Sequence, residues 1–404
     1  MCRLSAREVP SCAGRAHGRS PATVESYRFH RRKGRAETVF VAWRDLKFAK
    51  GRFALMGAVV VLITLLVGLL SGLTAGLGRQ NVSAITSLPA DRIAFRAPGG
   101  GQDLSYSHST VTERQWRRWS EAPGVESAEP LGITTTRATA GDRSAGVCAF
   151  GVRPGSRLAP DGGRISDSGA VLSTAAAEDL GVEDGDSFTL AGQRLRVAAV
   201  RGDAHFSHTP VIWTSLDTWR RIAPPTGTGD GEGEGPAATV IALNTASGAD
   251  VAATDRQAGT RTVTVDESLS AIGSYASENG SLQLMRGFLF AISALVVGAF
   301  FTVWTIQRSG DVAVLKALGA PTSGLLKDAL GQAVVLLVGG TLLGTGLAAA
   351  LGAAVAGSAV PFLLTPATVL LPAAVTILLG VLGAALSVRR ITSVDPLTAL
   401  GNVR

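Results

Sequence analysis

The sequence predicts an α-helical membrane protein with four transmembrane helices and an α+β extracytoplasmic domain inserted between the first and the second. Three observations carry this. The 404 residues are 46% hydrophobic and only 17% charged, with the apolar residues gathered into a few runs. Three stretches contain no Asp, Glu, Lys or Arg at all: residues 53–78, 287–307 and 329–388. Between the first two lies a segment rich in Gly, Ser and Thr, with short alternating apolar runs of strand length.

Residues 1–38 hold nine Lys/Arg and three Glu, which places most of the chain's formal charge of +7 there. The remaining 29 basic and 28 acidic residues nearly cancel, so binding to nucleic acid is excluded as the use of that charge. This leader has no apolar core and no periodic face. It is expected to be a disordered basic leader, or the product of a start codon chosen too far upstream, with translation beginning near Val39. The three cysteines, Cys2, Cys12 and Cys148, support neither a disulfide framework nor a metal site.

Residues 39–52 mix Phe40, Trp43 and Leu46 with Arg44, Lys47, Lys50 and Arg52, the pattern of a helix lying in the membrane interface. At 1.5 Å per residue, 53–78 exceeds the roughly 30 Å of hydrocarbon and is the first span. Residues 287–307 form the second. The run 329–388 is long enough for two more, 329–356 and 367–388, broken at 357–366 by Pro361 and Pro366. Arg44, Lys47, Lys50 and Arg52 precede the first span, Arg308, Lys316 and Lys327 follow the second, and Arg389 and Arg390 follow the fourth. This charge bias puts both termini, the segment 308–328 and the tail 389–404 in the cytoplasm of a cell or inner membrane, with 79–286 outside.

Within 79–286, strands are expected at 149–152, 169–173, 187–200, 210–214, 239–243 and 261–265, and helices at 112–121, 174–180 and 216–221. The low-complexity run 224–236 is expected to be a surface loop.

The chain has no Gly-x-x-x-x-Gly-Lys-Ser/Thr phosphate loop, and no span carries a titratable residue near its centre. A chain with neither feature is not expected to be an enzyme or an ion-coupled transporter, and the energy for any transport is expected from another subunit. Gly68, Gly72 and Gly76 recur every four residues on the first helix, as do Gly340, Gly344, Ala348, Gly352 and Ala356 on the third. Such ridges permit close helix packing, within one bundle or along a dimer seam. His205 and His208 have helical spacing but no third ligand nearby, and they read as turn histidines with no metal assigned. Tyr275, Glu278 and Met285 lie just before the second span. They read as a capping and interfacial stretch, or as a phenol, a carboxylate and a thioether facing a ligand that carries a porphyrin iron or a cationic headgroup.

The segment Arg308-Ser-Gly-Asp-Val-Ala-Val-Leu-Lys-Ala-Leu-Gly-Ala320 resembles the coupling segment of the FtsX-like, MacB-type permeases of ABC transporters. The order of elements over residues 39–404 is similar too, down to the tail Asp395-Pro-Leu-Thr-Ala-Leu400. The resemblance implies a MacB-like core domain at 79–286. It also implies docking of Arg308, Asp311, Val314, Leu315, Lys316, Leu318 and Gly319 on an ABC ATPase subunit, with Asp311 and Lys316 as polar contacts. ATP and Mg would then sit on that partner, this chain would bind no cofactor, and a second copy of the chain and membrane lipid would complete the assembly.

A narrower resemblance, to the haem-exporting HrtB- and DevC-like branch, rests on Arg44-Asp-Leu-Lys-Phe-Ala-Lys-Gly-Arg-Phe-Ala-Leu-Met56, Ser207-His-Thr-Pro-Val-Ile-Trp213, and Tyr275-x-x-Glu278 before Phe300-Phe-Thr-Val-Trp-Thr-Ile-Gln307. It implies a type VII, mechanotransmission-like exporter of a hydrophobic or amphipathic substrate such as haem. That substrate would enter sideways near Tyr275, Glu278 and Met285. A non-transporting transmitter and a lipoprotein- or lipid-releasing permease are the rival readings.

Overall fold

The structure is a computed structural model that describes residues 50–223, 237–307, 310, 314, 318–319, 321–355 and 360–392. The leader, nearly all of the expected interfacial helix and the low-complexity loop 224–236 lie outside these residues. The first helix, α1 (Lys50–Thr86), continues past the charge-free run that predicts it. Its end is held by burial rather than by lipid: Ala84 and Ile85 are 3% and 0% exposed, packed in the core of the inserted domain.

That domain comprises β1 (Arg92–Arg96), α2 (Glu113–Ser120), β2 (Val125–Ala140), β3 (Arg143–Val152), β4 (Gly169–Leu172), α3 (Thr174–Leu180), β5 (Ser187–Leu190) and β6 (Gln193–Val200). Then follow β7 (His205–Phe206), β8 (Thr209–Ser215), α4 (Leu216–Ile222), β9 (Val240–Thr245), α5 (Val251–Ala258), β10 (Thr260–Thr264) and α6 (Val265–Ser268). The strands pair in the order β10-β1-β9-β2-β3-β8-β4-β6-β5, with β7 added beside β8. The far end of β2 also pairs with β5, Ala138 opposite Leu190, so the strands from β2 to β5 in that order close on themselves.

The expected strand 187–200 is instead a hairpin, turning at Ala191 and Gly192, both at positive φ. The sequence does not predict β1, β2, β7, α5 or α6. β2 shows why: it is buried along its middle at Pro130, Leu131, Gly132 and Ile133 and alternates afterwards, so no single period runs through it. One core, around Phe95, Tyr106, Phe150 and Phe206, receives the end of α1. The other lies under α2, α3 and α4, around Trp119, Leu172, Ile212 and Trp219.

The second span is the inner part of α7 (Gly273–Gln307), which starts well before residue 287. The third and fourth are α8 (Thr322–Val355) and α9 (Pro366–Thr392). α8 packs against α1 and α9, and α7 packs against α9. Their shared core includes Met56, Val60, Val297, Phe301, Trp304, Leu337 and Ala384. The glycine ridge of α1 lies against α8 and the segment that follows it in the same chain. A Cβ on Gly68 would come within 2.8 Å of Ala348 Cβ, and one on Gly72 within 2.3 Å of Phe362. On α8, a Cβ at Gly344 would meet Val61 O at 2.6 Å, so the two ridges face each other.

Candidate functional site

Where α1 and α7 emerge toward the inserted domain, they and the start of α9 enclose a cavity of about 350 Å³. Each helix contributes residues at helical spacing. Ser71, Ala75, Gly78 and Val82 line it from α1, and Tyr275, Glu278, Leu282 and Arg286 from α7. Leu371 and Pro372 of α9 close the apolar side. Two of the three candidate ligand residues, Tyr275 and Glu278, therefore share this cavity. Met285 is 55% exposed and is not among the lining residues.

Glu278 is also the centre of a polar knot. His208 Nε2 lies 3.1 Å and 2.9 Å from its two carboxylate oxygens. Facing a carboxylate, that ring nitrogen carries the proton. Asn81 Nδ2, 3.2 Å from the same nitrogen, therefore donates to Glu278 Oε2 at 3.4 Å rather than to the ring. Ser274 Oγ donates to Asn81 Oδ1 at 2.7 Å, which leaves Ser207 Oγ to donate to Ser274 Oγ at 2.8 Å.

His208 reaches this point from the turn between β7 and β8. Ser207 and His208 both adopt left-handed backbone, φ 50° and 64°, which a two-residue hairpin turn requires and which glycine or asparagine would adopt at less cost. The conformation is held from outside the hairpin: Ser207 N–H donates to Asn81 O at 2.9 Å and His208 N–H to Gln80 O at 3.0 Å. The turn of the inserted domain is thus seated on α1 by its backbone and on α7 by its side chains. His205 is separate from this knot: its backbone N–H donates to Ser83 Oγ at 2.9 Å, and its Nδ1 lies 3.6 Å from Asp203 Oδ1.

Chemically, the cavity offers a carboxylate toward the inserted domain and a guanidinium at Arg286, two turns and more deeper along α7, or about 12 Å. The wall between them is largely apolar. Such a site suits a flat or elongated amphiphile. The sequence reading of His208 as a turn histidine agrees with its place between β7 and β8 but does not reveal its partner, which lies 70 residues away. Asn81, past the charge-free run, and Arg286 are not placed in the site by sequence reasoning.

Of the expected coupling residues, Arg308, Asp311, Leu315 and Lys316 lie outside the described residues. Val314 and Leu318 are 56% and 79% exposed, and Leu318 N–H donates to Val314 O at 3.0 Å, one helical turn back. Gly319 follows at φ 89°, the left-handed stop that glycine supplies at a helix end. Val314 and Leu318 thus leave apolar side chains exposed at this turn.

The family model for the MacB-like periplasmic core domain matches residues 53–261, and that for the FtsX-like permease C-terminal region matches 284–396. A protein of Staphylococcus haemolyticus named as a candidate hemin transport system permease, HrtB, is 24% identical over 90% of this chain and 99% of its own length. An uncharacterized ABC transporter permease of Mycobacterium tuberculosis is 26% identical over 90% of this chain and 99% of its own. The crystal structure of the periplasmic region of MacB from Actinobacillus actinomycetemcomitans aligns with 46% of this chain and 94% of that one, at 13% identity and a TM-score of 0.30. With one family model spanning more than half of the sequence and the second covering most of the last three helices, the chain belongs to the MacB/FtsX family of ABC transporter permeases.

Proposed function

We propose that the chain is the membrane subunit of an ATP-driven exporter whose substrate, a hydrophobic or amphipathic molecule with haem as the leading candidate, enters the cavity between α1 and α7. The observation that carries this reading is the cavity itself. It lies at the junction of the membrane helices with the inserted domain, and it combines the Tyr275 phenol and Glu278 carboxylate with the Arg286 guanidinium on an apolar wall. A phenolate or carboxylate is a ligand for ferric porphyrin iron, and a guanidinium pairs with carboxylates. The name of the staphylococcal relative supports the same substrate class. Both termini face the cytoplasm in this reading and the inserted domain faces outside. A separate ATPase subunit holds ATP and Mg and docks at Val314–Gly319 with its neighbours. Two copies of each subunit work together by a type VII, mechanotransmission-like cycle.

The test is ATPase activity of the complex reconstituted in lipid with its ATPase. Haemin is expected to stimulate it, and Glu278→Ala to remove the stimulation while basal hydrolysis stays. Stimulation by lipid or lipopeptide in place of haemin favours the releasing permease. Absence of any substrate-dependent stimulation favours the non-transporting transmitter.

A further inference from the structure

Glu278 faces two ways. On one side its carboxylate lines the cavity; on the other it receives His208, which belongs to the inserted domain and does not line the cavity. We propose that His208 is a positioning residue for the cavity, acting through Glu278. Its imidazole and a ligand that presents a metal centre or a cation compete for the same carboxylate. The proposal rests on the reading of this cavity as the substrate site.

The geometry makes the competition local and its consequence specific. His208 N–H spans both oxygens of Glu278, at 3.1 Å and 2.9 Å, and Asn81 adds a second donor at 3.4 Å. A cation or metal centre that takes the carboxylate neutralises the charge that holds those donors. His208 sits in a left-handed turn, a conformation that persists only while surrounding contacts over-determine it. Loss of Glu278 leaves the turn with two backbone bonds to α1 and the Ser207–Ser274 hydroxyl pair. The strand that follows, β8, lies between β3 and β4 inside the sheet, so a hairpin whose hold on α7 is reduced to that one hydroxyl pair is freer to shift a strand of the domain's interior. Occupancy of the cavity is thereby read by the inserted domain at one side chain.

The experiment uses the full chain in lipid nanodiscs, with haemin as the probe and its absorbance as the readout. His208→Ala is expected to bind haemin about tenfold more tightly than wild type, the worth of one displaced charged hydrogen bond. Glu278→Ala is expected to lose the site. In a Cys2→Ser, Cys12→Ser background, Ser207→Cys with Ser274→Cys reports whether the hairpin is seated, and haemin is expected to slow formation of that disulfide. Equal or weaker binding by His208→Ala, where wild-type binding depends on Glu278, overturns the competition and leaves the substrate site standing. An unchanged crosslinking rate at saturating haemin overturns it without reference to the alanine variant. Binding that survives Glu278→Ala, or none by wild type and His208→Ala alike, overturns the substrate site and the competition together. Binding seen in His208→Ala alone supports the competition.

Discussion

Gly76 of α1 and Pro361 of the segment between α8 and α9 meet backbone to backbone: a Cβ at Gly76 would lie 1.8 Å from Pro361 O. No side chain is present to give way, so the close approach depends on the missing methyl group. Gly76→Ala is expected to destabilise the helix bundle by about 1–3 kcal/mol, the range for an overpacked site. Thermal unfolding in detergent checks this. Gly57→Ala, where nothing lies within 4 Å, serves as the control and is expected to be neutral or slightly stabilising.

The exposed turn after α7 gives a second expectation. Leu318 is 79% exposed and makes no demand on the fold. Leu318→Asp is expected to leave membrane insertion and thermal stability unchanged and to weaken capture of the ATPase subunit at least tenfold, since a carboxylate replaces an apolar contact. Co-purification and ATPase stimulation measure it; full stimulation in that variant removes Leu318 from the docking surface.

Cys148 is fully buried on β3, and burial pushes its thiol up to about 12 from an ordinary 9.0. The thiolate is the reactive form, so labelling of Cys148 by iodoacetamide at pH 8 is expected only upon unfolding of the inserted domain. Steady labelling of Cys148 in the native protein, read in a Cys2→Ser, Cys12→Ser background, counts against the burial.

The alkaline stability of the inserted domain follows from the same burial. Cys148 and Tyr106, whose phenol is pushed far above its ordinary 10.0 by desolvation despite a hydrogen bond to Ser268, are acids kept protonated in the folded state. The unfolded chain gives up these protons first. Stability is therefore insensitive to either group below pH 9 and falls as pH rises through 9 and 10. Chemical denaturation followed by tryptophan fluorescence from pH 7 to pH 10.5 is expected to show the decline. It is expected to shrink when Cys148→Ala and Tyr106→Phe are combined.

Much of this architecture is legible in the chain because a bilayer imposes a simple rule: residues 53–78, 287–307 and 329–388 carry no charge, and the four long apolar helices lie over them. The α3 segment, Ser173-capped and stopped by Gly181 at φ 64°, is legible for local reasons. Pairing across the sheet is not. β1 joins β9 and β10 through partners such as Ile93 with Ala242 and Val263, and no local period encodes that choice. The site divides the same way. Tyr275 and Glu278 sit one turn apart on a helix, which spacing reveals. The meeting of Asn81, His208 and Glu278 comes from three distant segments, and only the folded chain brings them together.

The continuation of α1 and α7 beyond their apolar runs has a mechanical consequence. α1 spans 37 residues, about 55 Å of unbroken rod, with its far end embedded in the domain core at Ala84 and Ile85. In the mechanotransmission-like cycle proposed above, a rod so anchored would serve as a lever with its fulcrum in the bilayer: a tilt of a few degrees imposed near Lys50 would shift its far end by about 2–3 Å in the opposite direction.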